Sequence, residues 1–154
     1  MKNEETNILY VDDEVNNLVA FKANFRRDYN IFTAETADEG FRILQQNKIH
    51  VIITDQRMPV QTGVEFLERA IKEFPDPIRI LLTGYSDINV VIDAINKGQV
   101  FRYLMKPFNE LELKMILENA IEVYNLREEN KSLMEKLKLA NEQLEFMLRQ
   151  KLLS

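Results

Sequence analysis

The sequence predicts an α/β protein built on a doubly wound, five-stranded parallel sheet of flavodoxin-like order 2-1-3-4-5, with its last helix extended into a coiled coil. Two observations predict the sheet. Five short apolar runs alternate with stretches of helical spacing, which is typical of parallel strands joined by helices. Acidic, hydroxyl or lysine residues follow most of these runs, as at the carboxyl edge of open α/β sheets. A third observation predicts the extension, because residues 108–154 contain neither glycine nor proline.

Each of the five apolar runs has the length of a single strand. The third run, which ends at Asp55, is apolar on successive residues and therefore fits a strand buried on both faces, as in a sheet covered by helices. We expect the crossovers between these strands to be right-handed. The predicted strands are residues 7–11, 30–34, 50–55, 78–83 and 100–104.

The stretches between the strands predict helices, because their apolar residues recur at helical spacing. Either Thr36 or Asp38 suits the cap of the second helix, and Asn109 suits the cap of the last. Gly98 suits the position that ends the fourth helix. In the first helix the apolar positions are Val15, Leu18, Val19 and Phe25.

Composition narrows the class of protein. At 154 residues the chain can hold one domain and a modest appendage. Its net charge of −5 argues against a nucleic-acid-binding surface. The absence of cysteine excludes disulfides and thiolate metal sites and fits a reducing compartment. Residues 1–5 lack the apolar core of a signal peptide, and no apolar stretch is long enough to cross a bilayer. We therefore expect a cytoplasmic protein without direct contact to nucleic acid or membrane.

The predicted strand ends bring five chemically useful side chains to one edge of the sheet. Clustered carboxylates raise one another's pKa, and a hard divalent cation such as Mg²⁺ relieves that repulsion. A carboxylate beside such a metal can attack phosphorus, while a lysine and a hydroxyl can pair with phosphoryl oxygens. The sequence therefore predicts magnesium-dependent phosphoryl chemistry at this edge. The five residues are Asp12, Asp13, Asp55, Thr83 and Lys106.

In their order along the chain, these residues resemble the receiver domain of bacterial two-component response regulators. The resemblance covers roughly residues 5–122, which we predict to be the receiver domain. It implies a phosphorylation-controlled signalling module rather than an enzyme. The residues that carry it are Asp12-Asp13, Asp55, Met58-Pro59, Gly63, Thr83, Tyr103 and Lys106-Pro107-Phe108.

The resemblance implies that Asp55 accepts a phosphoryl group from a sensor histidine kinase in a Mg²⁺-dependent reaction. Asp13 and Asp55 are then direct ligands of the Mg²⁺ ion, together with the backbone carbonyl of Arg57. Asp12 acts on the ion largely through water. Lys106 pairs with the phosphoryl group.

The resemblance also implies a conformational switch. In it, Thr83 moves toward the phosphoryl group and Tyr103 turns inward behind it. The Lys106-Pro107 peptide bond resembles the family's cis peptide. Phosphorylation then shifts an equilibrium between two states of the loops at this edge.

Residues 123–154 predict a coiled-coil helix that serves as a signalling linker. Apolar residues there keep an alternating spacing of three and four, and Asn130 at an a position favours a parallel homodimer. Apolar Met134 and Leu148 at e positions leave open a larger bundle or docking against another domain. We expect the helix to relay the switch to an output domain beyond residue 154 or on a partner. The predicted seam is Val123, Leu126, Asn130, Leu133, Leu137, Ala140, Leu144 and Met147.

Two other interpretations of the sequence are open. The chain would be a magnesium-dependent phosphatase if the aspartate turned over external phosphate esters, although no second acid or base and no cap insertion is recognisable. It would be a coiled-coil adaptor if the receiver-like part were silent to phosphorylation. The intact acceptor, metal and lysine positions argue against the adaptor.

Overall fold

The computed structural model describes residues 6–154, in which strands and helices alternate along the chain. Residue 5, the predicted start of the receiver-like part, lies outside the described residues. The strands are β1 (Asn7–Val11), β2 (Asn30–Ala34), β3 (Val51–Asp55), β4 (Ile78–Thr83) and β5 (Arg102–Met105). The helices are α1 (Val15–Phe25), α2 (Ala37–Gln46), α3 (Gly63–Glu73), α4 (Ile88–Asn96) and α5 (Glu110–Leu153), with a 3-10 turn at Tyr85–Asp87 before α4.

All five strands are parallel and lie in the order β2-β1-β3-β4-β5, which confirms the predicted topology. Successive side chains of a strand point to opposite faces of the sheet, so each face buries its own apolar layer. Leu9 and Ile52 belong to the layer shared with α2, α3 and α4. Ile8 and Ile53 belong to the layer shared with α1 and α5. Both layers cover β3 and β4, which are buried along their whole length.

One local prediction needs correction. Strand β5 begins at Arg102 rather than at residue 100, because pairing with β4 starts there, although Val100 before it is already buried in the core. In α1, Val15 and Val19 are 51% and 63% exposed. The buried face of α1 is formed by Leu18, Phe21 and Phe25. The cap of α2 is Thr36, whose hydroxyl oxygen accepts a hydrogen bond from the backbone N–H of Glu39.

Helix α5 is one unbroken helix of 44 residues, capped by Asn109 as predicted. Its packing against the domain continues past residue 122, since Tyr124 is buried and Lys131 pairs with Asp76 at 2.8 Å. Val123, the first residue of the predicted seam, packs against the domain core. The seam residues from position 126 onward are exposed in the chain. Within residues 6–154, no helix combines the length and apolarity needed to span a membrane.

Candidate functional site

The carboxyl ends of β1, β3 and β5 bring an acidic cluster and a lysine together. Asp12 and Asp13 follow β1, Asp55 ends β3, and one carboxylate oxygen from each lies within 4.8 Å of the others. The Lys106 ammonium, just after β5, donates to Asp55 Oδ1 at 2.6 Å. The predicted convergence of these four side chains is therefore present in the fold.

Asp12 is fully buried and is held by three hydrogen-bond donors. Its carboxylate accepts from the Tyr10 hydroxyl at 3.1 Å, from Asn17 Nδ2 at 3.0 Å and from the backbone N–H of Glu14 at 2.9 Å. Burial raises the pKa of Tyr10 and the negative charge of Asp12 adds to this rise, so the phenol stays a donor. The contributions of Tyr10 and Asn17 were not predicted from the sequence. The two-residue period of a strand, which puts Tyr10 and Asp12 on one face, was the available signal.

Asp55 is only 7% exposed, and this burial makes its negative charge unfavourable. Burial raises the pKa of the Asp55 carboxyl, the hydrogen bond and charge of Lys106 oppose that rise, and Asp12 and Asp13 reinforce it. The Lys106 side chain is 38% exposed, and its single positive charge offsets only part of the negative charge of the three clustered carboxylates. Further positive charge is therefore favourable here.

Hydrogen bonds between Gln56 and the first residues of α3 hold the loop after Asp55 in place. Gln56 is buried, and its side-chain carbonyl accepts from the backbone N–H of Val64 at 2.9 Å. Gly63 donates its N–H to the Gln56 carbonyl at 3.0 Å, and a Cβ at Gly63 would collide with the Asp55 backbone carbonyl. Thr62 and Glu65 form a capping box that starts α3 directly after it. A glycine eight residues after Asp55 is thus required for α3 to approach the end of β3.

Thr83 and Tyr103 lie near this edge without a described contact to Asp55. Thr83 is buried, and its hydroxyl donates to the carbonyl of the next residue, Gly84, at 3.2 Å. Tyr103 on β5 is 36% exposed. The Lys106-Pro107 bond is cis, as the resemblance implies.

Arg57 lies two residues after Asp55, and its side chain spans two loops. The guanidinium donates to Asp87 Oδ2 at 2.9 Å and to Ser86 Oγ at 2.7 Å, which lie in the turn before α4. The predicted role of the Arg57 backbone carbonyl as a metal ligand stays a prediction.

The donor set fits Mg²⁺. All of the clustered donors are carboxylate oxygens, the hard ligands that this ion prefers, and a site with one or two direct carboxylates leaves positions for water and phosphate oxygen. Asp12 is already occupied by three donors, which suits an indirect role. Asp13 is exposed and free to approach a cation from the solvent side.

Fold and site together define a class of protein: an α/β domain of flavodoxin-like topology with an acidic cluster and a lysine at the carboxyl edge of its sheet. Comparison with known families makes the assignment specific. The model of the response regulator receiver domain matches residues 8–118. The chain belongs to this family.

Curated relatives are similar over the same region. The hydrogenase transcriptional regulatory protein HoxA from Bradyrhizobium diazoefficiens is 33% identical over 125 residues, covering 81% of this chain and 26% of the relative. The transcriptional regulatory protein GlrR from Escherichia coli is 29% identical over 123 residues, covering 79% of this chain and 28% of the relative. The chain thus spans about a quarter of the length of these relatives.

Solved structures share the fold. A structure described as adenylate cyclase from Rhodopirellula baltica superposes with a TM-score of 0.82 at 32% identity, covering 84% of this chain and 97% of that one. A response regulator receiver domain protein from Clostridium thermocellum gives a TM-score of 0.74 at 35% identity, covering 79% of this chain and 98% of the other.

Proposed function

We propose that Asp55 accepts a phosphoryl group from a sensor histidine kinase in a Mg²⁺-dependent reaction. The observation that carries the proposal is the 2.6 Å contact between Lys106 Nζ and Asp55 Oδ1 beside Asp12 and Asp13. A buried carboxylate paired with one cation is oriented for reaction, and its neighbours supply the ligands for a second cation. Membership of the receiver family supports the same role.

The transfer forms a bond between an Asp55 carboxylate oxygen and phosphorus. The bond from phosphorus to the donor breaks, and its electron pair leaves with the donor, which is an imidazole nitrogen of the kinase or an oxygen of a small acyl phosphate. Lys106 holds Asp55 Oδ1 before the transfer and pairs with an oxygen of the transferred group afterwards. Positioning and charge neutralisation are the main demands of such a reaction.

Asp13 and Asp55, with the Arg57 carbonyl, are the proposed direct ligands of Mg²⁺, and Asp12 acts through water. A bound Mg²⁺ supplies positive charge that offsets the carboxylates and the phosphoryl oxygens. Tyr10 and Asn17 orient Asp12 by their hydrogen bonds, which keeps its carboxylate in place when the cation is absent.

Incubation with acetyl phosphate tests the reaction. Intact-mass analysis should find one added phosphoryl group per chain when Mg²⁺ is present and none when it is chelated. Asp55→Asn should remain unmodified, whereas Asp28→Asn, a change at an exposed aspartate of the α1–β2 loop, should be modified like the unchanged chain. Continuous release of phosphate from small esters, without a stoichiometric adduct, would favour the phosphatase and refute the receiver.

We also propose that α5 relays the phosphorylated state through a parallel coiled-coil homodimer to an output domain, which lies beyond residue 154 or on a partner. Two observations support this proposal. Helix α5 is continuous, and Tyr124 on it is buried against the domain, so the helix and the domain are packed together. Exposed leucines at the seam provide the apolar face that a dimer needs. The cytoplasmic location and the absence of enzymatic activity remain predictions.

A matched pair of substitutions tests the dimer. Leu137 lies in the predicted seam and Leu139 lies outside it, yet their side chains are 55% and 56% exposed in the chain. Leu137→Glu should dissociate the dimer in sedimentation experiments, and Leu139→Glu should leave its mass unchanged. Equal effects of the two variants would contradict the seam. Beryllofluoride, a mimic of the phosphoryl group, should change the dimer's affinity or register.

A further inference from the structure

Arg57 joins two loops that meet beside the acceptor. One guanidinium nitrogen donates to Asp87 and another to Ser86, which lie 30 and 29 residues further along the chain. Arg57 belongs to the loop after β3, whereas Ser86 and Asp87 form the turn that follows β4. The Arg57 side chain therefore links two loops that follow neighbouring strands of the sheet, β3 and β4.

The tied turn follows directly on Thr83. Only Gly84 and Tyr85 separate Thr83 from Ser86, and a Cβ at Gly84 would meet no atom within 4 Å. Gly84 thus lies in open space, and the backbone N–H of Asp87 reaches back to its carbonyl at 3.3 Å. The same carbonyl accepts the Thr83 hydroxyl. Movement of the Thr83 hydroxyl toward Asp55 therefore breaks its hydrogen bond to Gly84, a residue of the segment that Arg57 holds.

We propose that Arg57 is a positioning residue that holds the β4–α4 turn in the resting state through Ser86 and Asp87. The proposal rests on the proposed function, because the resting state is defined by Thr83 pointing to Gly84 rather than to a phosphoryl group. A contact made in one of two states biases the equilibrium toward that state. The bond from Arg57 to the turn therefore opposes activation, and its loss favours the state in which Thr83 approaches Asp55.

For Arg57→Ala, the loss of positive charge and the loss of the restraint on the turn predict opposite changes in the affinity for beryllofluoride, which is an anion. Arg57→Ala removes a positive charge near the acceptor, which by itself weakens the binding of an anion, and it keeps the backbone carbonyl proposed as a metal ligand. Asp87→Asn removes a negative charge, which by itself strengthens anion binding. Release of the restraint strengthens the binding in both variants. Ser86→Ala breaks one of the two hydrogen bonds without any change of charge.

Fluorine NMR of beryllofluoride binding at fixed Mg²⁺ concentration provides the measurement. We expect tighter binding by Arg57→Ala and by Asp87→Asn, each by about two- to five-fold, the range that an exposed ion pair supports. Ser86→Ala should give a smaller gain in the same direction. The double variant of Arg57 and Asp87 should gain less than the sum of the single variants, because both remove the same contact. Weaker binding by Arg57→Ala with tighter binding by Asp87→Asn would show an effect of charge alone and overturn the proposal.

Arg69 provides a matched control, since it forms an arginine–aspartate pair of similar length with Asp38, at 2.7 Å, between α3 and α2. Arg69→Ala should not tighten beryllofluoride binding. Hydrogen exchange of the amides in residues 84–88, measured without Mg²⁺ or beryllofluoride, should become faster in Arg57→Ala and stay unchanged in Arg69→Ala. Unchanged exchange in Arg57→Ala would overturn the restraint. If the unchanged chain binds no beryllofluoride, the proposed function fails, and exchange alone decides whether Arg57 holds the turn.

Discussion

The ammonium group of Lys106 lies 2.6 Å from Asp55 Oδ1 and so connects the ends of β3 and β5, two strands that β4 separates in the sheet. Asp55 is buried, whereas Lys106 is partly exposed. The pair offsets part of the cost of a buried carboxylate next to two others. The three clustered carboxylates therefore repel one another to an extent that depends on the ionisation of Asp55.

Removal of the Asp55 charge should stabilise the chain when it is measured without Mg²⁺. Burial raises the pKa of Asp55 above its ordinary value of 3.8, so the folded chain holds this proton more tightly than the unfolded chain. The free energy of unfolding consequently falls as the pH rises above that value. We expect Asp55→Asn to increase the free energy of unfolding near neutral pH by about 0.5–2 kcal/mol. In mild acid the gain should be smaller.

Urea denaturation without Mg²⁺ measures this difference, with Asp28→Asn as the control for loss of an exposed aspartate. A gain by Asp55→Asn that does not grow with pH, or a loss of stability, would contradict the raised pKa. Addition of Mg²⁺ should stabilise the unchanged chain and leave Asp55→Asn less affected, because a ligand that binds the folded state stabilises it.

His50 should make the stability of the domain sensitive to mild acid. Its Nδ1 accepts a hydrogen bond from the backbone N–H of Asn7 at 3.0 Å. The centroid of its ring lies 4.7 Å from that of Tyr124 on α5. Burial lowers the pKa of His50 below its ordinary value of 6.5. The unfolded chain therefore binds this proton first, and the free energy of unfolding falls as the pH drops below that value.

Chemical denaturation at neutral and at mildly acidic pH should show a smaller loss of stability for His50→Gln than for the unchanged chain. The expected reason is that protonated Nδ1 becomes a donor and can no longer accept from Asn7. Equal losses in the two proteins would mean that His50 does not contribute to the pH dependence.

Arg79 should be a main structural support of the edge opposite the acceptor. Its side chain, 8% exposed at the start of β4, donates to the carbonyls of Gln99 and Pro77 at 2.8 Å each and of Pro75 at 3.1 Å. None of its described partners is a carboxylate. Arg79→Met should lower the free energy of unfolding by about 2–4 kcal/mol, because buried carbonyls lose a charged donor. A loss no larger than that of Arg27→Met, a change at an exposed arginine, would contradict this role.

Val60 occupies an unfavourable backbone conformation in the loop after the acceptor. Its φ is +72°, in the left-handed region that β-branched residues avoid, and its side chain is fully exposed. Asparagine tolerates this region better, so Val60→Asn should raise the free energy of unfolding by about 0.5–1 kcal/mol. Thermal denaturation should show no comparable gain for Val19→Asn, in which an exposed helical valine is replaced. A loss in Val60→Asn would contradict the strain.

The position of the candidate site was predictable because parallel strands bring their carboxyl ends to one edge. Asp12, Asp55 and Lys106 each lie at or just after an apolar run, so their place in the sequence was sufficient to predict that they meet. The order of the strands followed from the alternation of strands and helices. The length of α5 followed from the absence of residues that end helices.

Contacts between exposed loops were not predictable from the same signals. Arg57, Ser86 and Asp87 lie in segments without periodicity, and only the fold brings them together. An apolar run also does not show where strand pairing begins. Val100 is buried in the core like a strand residue, but β5 pairs with β4 only from Arg102 onward. The exposure of Val15, at the start of α1, shows that helical spacing alone does not fix which face packs on the sheet.

Locating the phosphoryl label within the chain tests most directly whether Asp55 is the acceptor. After incubation with Mg²⁺ and acetyl phosphate, borohydride reduction converts an acyl phosphate into a stable alcohol, which peptide mass spectrometry assigns to one residue. We expect the modification on Asp55 alone, and only when Mg²⁺ is present. Modification of Asp12, Asp13 or a residue outside the cluster, or an unmodified chain under these conditions, would contradict the assignment.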